Sequence, residues 1–235
     1  MRKLIPALLV LTAATAFSLW AYPQLPAEVA THFDIQGDPD GWSSRLMAVM
    51  IVPGLTLLMI GIFTVVPKID PRRANYTLFN PTYWTVVNSV LLLLLGIHVL
   101  LLGKALGWNI NMGRVASVGI GGLFIVMGNL MSRVRPNWFM GIRTPWTLSS
   151  DTVWRKTHRF GGVAFVIAGL CFLASAILNS TWTQYVAIGA AIAAALSSVV
   201  YSYVAWRQEQ GKAGSAATIA ESEAVTMPNG PGSHP

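Results

Sequence analysis

Two stretches of this chain hold the side chains best equipped for chemistry. One runs from Gly128 to Gly162 and reads GNLMSRVRPNWFMGIRTPWTLSSDTVWRKTHRFGG. Between Ser132 and Arg159 it holds six basic residues, Arg133, Arg135, Arg143, Arg155, Lys156 and Arg159, against one acid, Asp151. Gly141 permits a tight turn, and Pro145 pushes Thr144 towards an extended conformation, so Arg143 between them is held in one pose. A guanidinium fork fixed in that way suits a carboxylate or a phosphate. Ser149 or Ser150 can cap a helix that opens near Asp151, an acid suited to a helix N-terminus. Trp154 and His158 then share one face, four residues apart. Three arrangements are open: the helix lies on the inner leaflet with its tryptophan in the interface and its basic side on lipid phosphates, Arg143 and His158 converge on one anionic group, or the same residues brace the mouth of the bundle.

The second stretch lies between Pro23 and Arg45 and carries Glu28, His32, Asp34, Asp38 and Asp40. Such oxygen and imidazole groups can hold Zn²⁺ or Ca²⁺, but the spacing matches neither HExxH nor an EF-hand, and no metal site is expected. Four acids against Arg45 make a negative patch that attracts a cationic ligand. The run Val29–Ile35 alternates like a short strand, and Gly37-Asp38-Pro39-Asp40-Gly41 is dense turn chemistry. An ordered hairpin or lid is expected there.

The elements that position these stretches are hydrophobic. The chain has 235 residues, 54% apolar and 11% charged, where a soluble domain carries roughly 25% charged residues. Six apolar spans are read: Leu4–Tyr22, Leu46–Val66, Tyr83–Leu102, Val115–Met131, Phe160–Leu178 and Gln184–Trp206. Each is near the ~20 residues that cross a bilayer as a helix, and none contains Asp, Glu, Lys or Arg. The expected fold is an all-α, polytopic bundle of six transmembrane helices. The basic residues sit at the span ends, as orientation signals do, so the net charge of +7 is not read as nucleic-acid binding. With the N-terminus inside, 13 basic residues, Arg2 among them, face inward and 3 face outward, which puts both termini in the cytoplasm of a cell-membrane protein. The stretch Ala14-Thr15-Ala16 resembles a signal cleavage site, but the apolar run continues through Phe17–Tyr22 and favours an uncut anchor. Domain limits are read as a two-span unit over residues 1–82 with its outer loop 23–45, a four-span unit over 83–206 with its inner loop 132–159, and a disordered tail over 207–235, too poor in apolar surface to offset chain entropy.

Within the spans, Gly119, Gly121, Gly122 and Gly128, and Ala187, Ala191 and Ala195, read as faces for close helix packing. The one cysteine, Cys171, allows no intrachain disulfide. His98 in span three reads as a structural hydrogen-bonding group. No nucleophile-with-base pattern and no Walker loop appear, so no enzyme and no cofactor are expected.

The string Gly128-Asn129, Asn137, Gly141-Ile142-Arg143-Thr144-Pro145-Trp146-Thr147-Leu148, Trp154, Thr157-His158-Arg159 and Gly162 resembles the signature of the SdpI family of bacterial membrane proteins. The front half, with Leu25-Pro26, Thr31-His32-Phe33, Gly37-Asp38-Pro39-Asp40-Gly41-Trp42, Asp70-Pro71-Arg72 and Asn75-Tyr76, is similar to a small domain of unknown function that commonly precedes it. The resemblance implies an immunity protein that protects the cell from a secreted killing peptide and draws a cytosolic repressor to the membrane. On that reading Glu28, His32, Asp34, Asp38, Asp40 and Trp42 face the toxin outside. Asn129, Asn137, Arg143, Trp146, Trp154, His158 and Arg159 bind a ligand or partner inside, and lipids surround the spans. The alternatives are a small carrier or channel, disfavoured by spans without charge, and a membrane enzyme acting at the inner face through His158 and Arg143.

Overall fold

Apolar runs of bilayer length fold as helices because only a helix satisfies every backbone group without water. The computed structural model describes residues 3–226, and for residues 213, 214 and 216–226 it describes the backbone alone. The order is α1 (Ile5–Ala21), a 3-10 turn (Tyr22–Gln24), β1 (Glu28–Phe33), β2 (Pro39–Ser44), α2 (Arg45–Ile69), a second 3-10 turn (Arg73–Asn75), α3 (Tyr76–Ala105), α4 (Met112–Met131), α5 (Pro145–Ser149), α6 (Asp151–Leu178) and α7 (Thr181–Thr226). Among the described residues six helices are long and apolar enough to cross a membrane, and they correspond to the six expected spans.

Helices α1, α2 and α3 pack on one another, α6 packs on both α4 and α7, and α3 meets α4 between the two groups. The α4–α6 contact is the closest. A Cβ added at Gly121 would lie 2.8 Å from the Gly169 carbonyl oxygen, and one at Gly128 would lie 2.6 Å from that of Gly162. Gly162 and Gly169 return the same contacts to Gly128 and Gly121 at 2.7 Å each. Both pairs recur every seven residues, the spacing of a left-handed crossing, and the missing side chains bring the two backbones together. Gly119 instead meets Leu93 of α3, and nothing lies within 4 Å of a Cβ placed on Gly122.

On α7 the packed row is Gln184, Ala187, Ala194, Ser198, Ser202 and Ala205, while Ala195 faces outward. The expected four-residue row fails there because steps of four advance the helix by ~40° beyond a full turn, so the third member has drifted off the seam. The tail differs as well. The backbone from Arg207 to Thr226, expected to be disordered, continues α7 as helix; its alanines, glutamines and glutamates are strong helix formers, and that preference is invisible to an argument about core burial. Arg2 and the end of the expected tail, 227–235, lie outside the described residues.

The expected hairpin is present. β1 and β2 pair antiparallel with irregular register around His32, and Gly37 at its tip has φ +88° and abuts the backbone of Gly113 at the start of α4. The loop 132–144 leaves the far end of the same helix. Hairpin and basic loop therefore cap opposite ends of the bundle.

Candidate functional site

At the basic end the loop folds down into the bundle rather than lying over it. Asp70, 2% exposed, ties the front half to the back. Its carboxylate accepts the Arg72 N–H at 2.7 Å, the Trp138 N–H at 2.9 Å and the Tyr76 hydroxyl at 3.0 Å. Asn137 is fully buried beside it. Its Oδ1 accepts the Phe139 and Met140 N–H groups, and its Nδ2 donates to the carbonyls of Arg135 and Met140. Asn75 Nδ2 donates to the Pro136 carbonyl at 2.7 Å. Arg72 reaches across to the Leu148 carbonyl at 2.9 Å and to Asp151 at 3.3 Å.

The segment around Arg143 has the expected backbone. Gly141 sits at φ +105°, Thr144 is extended, and Thr144 and Thr147 form a reciprocal capping box over α5. Ser202 of α7 bonds the Thr144 hydroxyl at 3.0 Å. Arg143 is exposed and pinned, with one Nη donating to the Trp138 carbonyl at 2.6 Å. Trp146 packs its ring 5.1 Å from Tyr203 of α7.

Two expectations are corrected here. Ser150 caps the helix that begins at Asp151, accepting from Thr152 and Val153, but this is no separate leaflet-bound helix. It is the first turns of α6, continuous to Leu178. Trp154 and His158 do share a face, and that face is buried: they are 1% and 0% exposed, stacked with ring centroids 4.1 Å apart. Trp154 Nε1 donates to the Val134 carbonyl at 2.9 Å. Nor do Arg143 and His158 converge on one open anion site. His158 Nδ1 lies 2.9 Å from the Trp154 carbonyl, so it carries the proton, and Nε2 accepts the Ile142 N–H at 3.1 Å. Both ring nitrogens are committed, and the neutral ring is a brace that offers no free base.

What remains open at this end is a cleft of about 360 Å³ between α4 and α6, lined by Asn129, Ser132, His158 and Arg159 over Gly128 and Gly162. Asn129 is exposed, and its Nδ2 donates back to the Ile125 carbonyl at 2.8 Å. Arg159 is exposed and makes no hydrogen bond or ion pair among the described residues. Arg133, Arg135 and Arg155, on the basic loop and the first turns of α6, are exposed as well. The cleft can take an anionic group at its rim.

At the hairpin end, His32 and Asp40 pair through Nδ1 and Oδ1. Asp34 is spent on the turn, accepting the Gln36 and Asp38 N–H groups at 2.9 Å each. Glu28, Asp38, Asp40 and Trp42 are exposed. No three His, Cys, Asp or Glu side chains gather in one place among the described residues. The guanidinium of Arg45 lies over the Tyr22 ring, and the Lys104 ammonium lies over Phe33. His98, 1% exposed, bonds Ser18 at 2.8 Å, and Ser18 also bonds the Val49 carbonyl at 2.8 Å, which is the expected structural use.

Asp70 is the site residue that sequence reasoning passed over. A signal for it exists. On the basic side, ahead of the tail, Asp70 and Asp151 are the only acids, and both are bonded to the other half of the chain.

Comparison with known proteins agrees with this layout. Residues 133–202, covering the basic loop, α5, α6 and much of α7, match the SdpI/YfhL protein family. Residues 9–57, covering α1, the hairpin and the first part of α2, match a domain of unknown function, DUF1648. The chain is 24% identical over 211 residues to the immunity protein SdpI of Bacillus subtilis (strain 168), which spans 90% of this chain and 99% of that protein. No solved structure matches. The chain is a distant relative of SdpI and DUF1648 proteins, built as a polytopic bundle of six membrane-length helices.

Proposed function

We propose that this protein confers resistance on the membrane that holds it, against a secreted, membrane-active peptide. The observation that carries this reading is the likeness to an immunity protein along nearly its whole length; the hairpin lies within the DUF1648 match and the basic cap within the SdpI/YfhL match. The hairpin meets the peptide on the outer side. Its exposed Glu28, Asp38 and Asp40 attract a cationic partner, and exposed Trp42 offers an aromatic anchor of the kind that dominates interfaces. Its tip stays fixed because Gly37 is seated on Gly113.

The basic cap faces the cytosol and binds a partner of opposite charge, the repressor of the signalling reading. Arg159 and Asn129 at the cleft are its first contacts, with Arg133, Arg135 and Arg155 as the surrounding rim. Asn137, Trp154 and His158 hold the shape of that surface from beneath. Helix α4 runs from the hairpin seat at Gly113 to the cleft at Asn129, so one rigid element touches both ends.

Expression in a host sensitive to a panel of peptides of this class tests the reading. Raised survival, reduced by Trp42→Ala together with Asp40→Asn at equal membrane abundance, supports it. Unchanged survival across the panel removes it.

A further inference from the structure

A second feature lies away from both ends. Between α3 and α4 a furrow of about 590 Å³ opens sideways, lined by apolar side chains with Ser89 at one end and Arg114 at the other. Ser89 is turned back onto the Thr85 carbonyl at 2.8 Å, so the interior is apolar. Two glycines in its wall, Gly96 and Gly122, have nothing within 4 Å of an added Cβ. Helix packing explains Gly121 and Gly128, which touch backbone of α6, but it does not explain these two. They keep the furrow deep.

Length and charge point to the occupant. From Arg114 to Val126 the furrow runs ~18 Å at 1.5 Å per residue, a length an extended acyl chain can follow, and its wall is apolar along that run. At the mouth, on the hairpin side, Arg114 is exposed and its guanidinium makes no bond among the described residues. It stands at the third position of α4, where the helix N-terminus adds partial positive charge.

We infer that this furrow seats one acyl chain of an anionic phospholipid from the leaflet on the hairpin side, with the lipid phosphate on Arg114. The lipid lies along the seam between the α1–α3 group and the α4–α7 group, which meet through α3 and α4.

The test uses the full chain in vesicles of phosphatidylethanolamine and phosphatidylglycerol, doped with phosphatidylglycerol carrying a photoactivatable acyl chain. Labelled peptides are mapped by mass spectrometry. Label is expected to concentrate on the furrow faces of α3 and α4, above the level on the exposed Leu58 and Ile62 of α2. Gly122→Leu, whose Cβ meets nothing within 4 Å, projects into the furrow and is expected to abolish the excess while leaving the melting temperature unchanged. Gly121→Leu, pushed into α6, is the folding control and lowers it. Arg114→Gln weakens the excess about five-fold, the usual effect of one basic side chain on an anionic lipid. Equal label on α2 and the furrow, or an excess indifferent to Gly122→Leu, overturns the proposal. An excess lost in Gly122→Leu but untouched by Arg114→Gln overturns the headgroup assignment. Complete displacement of the lipid by an apolar helical peptide overturns the choice of occupant.

Discussion

At the scale of single residues, the basic end depends on Asp70, Asn137 and His158, buried polar groups whose partners the protein supplies. Asp70 is the sharpest case. Asp70→Ala leaves the Trp138 and Arg72 N–H groups without their acceptor and the Tyr76 hydroxyl with only the longer bond to Asn137 at 3.4 Å, and a lost charge-assisted hydrogen bond costs ~1.5–3 kcal/mol. A clear drop in the unfolding midpoint in mixed micelles is expected, with Asp70→Asn milder because one carbonyl oxygen still accepts. Gly141 is a second case. Its φ of +105° strains any side chain, and an added Cβ would collide with His158 Nε2. Gly141→Ala should cost about 1–3 kcal/mol and loosen the Ile142–His158 bond, measurable as faster hydrogen exchange at Ile142. The Gly141 turn and the extended Thr144 were legible because glycine and proline act locally. The fate of His158 was not, since a four-residue spacing to Trp154 says that two rings share a face and not whether that face meets lipid, water or a neighbouring helix.

At the scale of elements, hydropathy found all six long helices and the hairpin. It misjudged where α6 begins. Arg155, Lys156 and Arg159 read as an interfacial stripe, yet their long stems let a spanning helix carry its charges up to the surface. A window average cannot separate that from a helix lying flat. The glycine row of α4 was visible as a set, but its division was not. Gly121 and Gly128 serve α6, Gly119 meets Leu93, and Gly122 faces open space, and only the neighbouring helices make that distinction. Gly162→Leu should therefore break the α4–α6 crossing, lowering the melting temperature by several degrees and losing near-ultraviolet signal from the stacked Trp154 and His158 environment. Asp34→Ala should act on the hairpin alone. Two backbone N–H groups at its turn lose their acceptor, so protease cleavage near Gly37 rises while the helical spectrum holds.

At the scale of the whole molecule, two polar caps close opposite ends of one apolar bundle, and α4 holds them apart. The proposed function puts the acidic hairpin outside and the basic loop inside, the direction expected from the basic-residue bias. Impermeant-reagent labelling of single-cysteine variants in intact cells tests this most directly, on a Cys171→Ser background because Cys171 is the chain's one cysteine. Asp38→Cys on the hairpin is expected to react in intact cells, and Arg135→Cys in the basic loop only after the membrane is opened. Reaction of both from the same side, or Arg135→Cys reacting in intact cells while Asp38→Cys waits for permeabilisation, would contradict it.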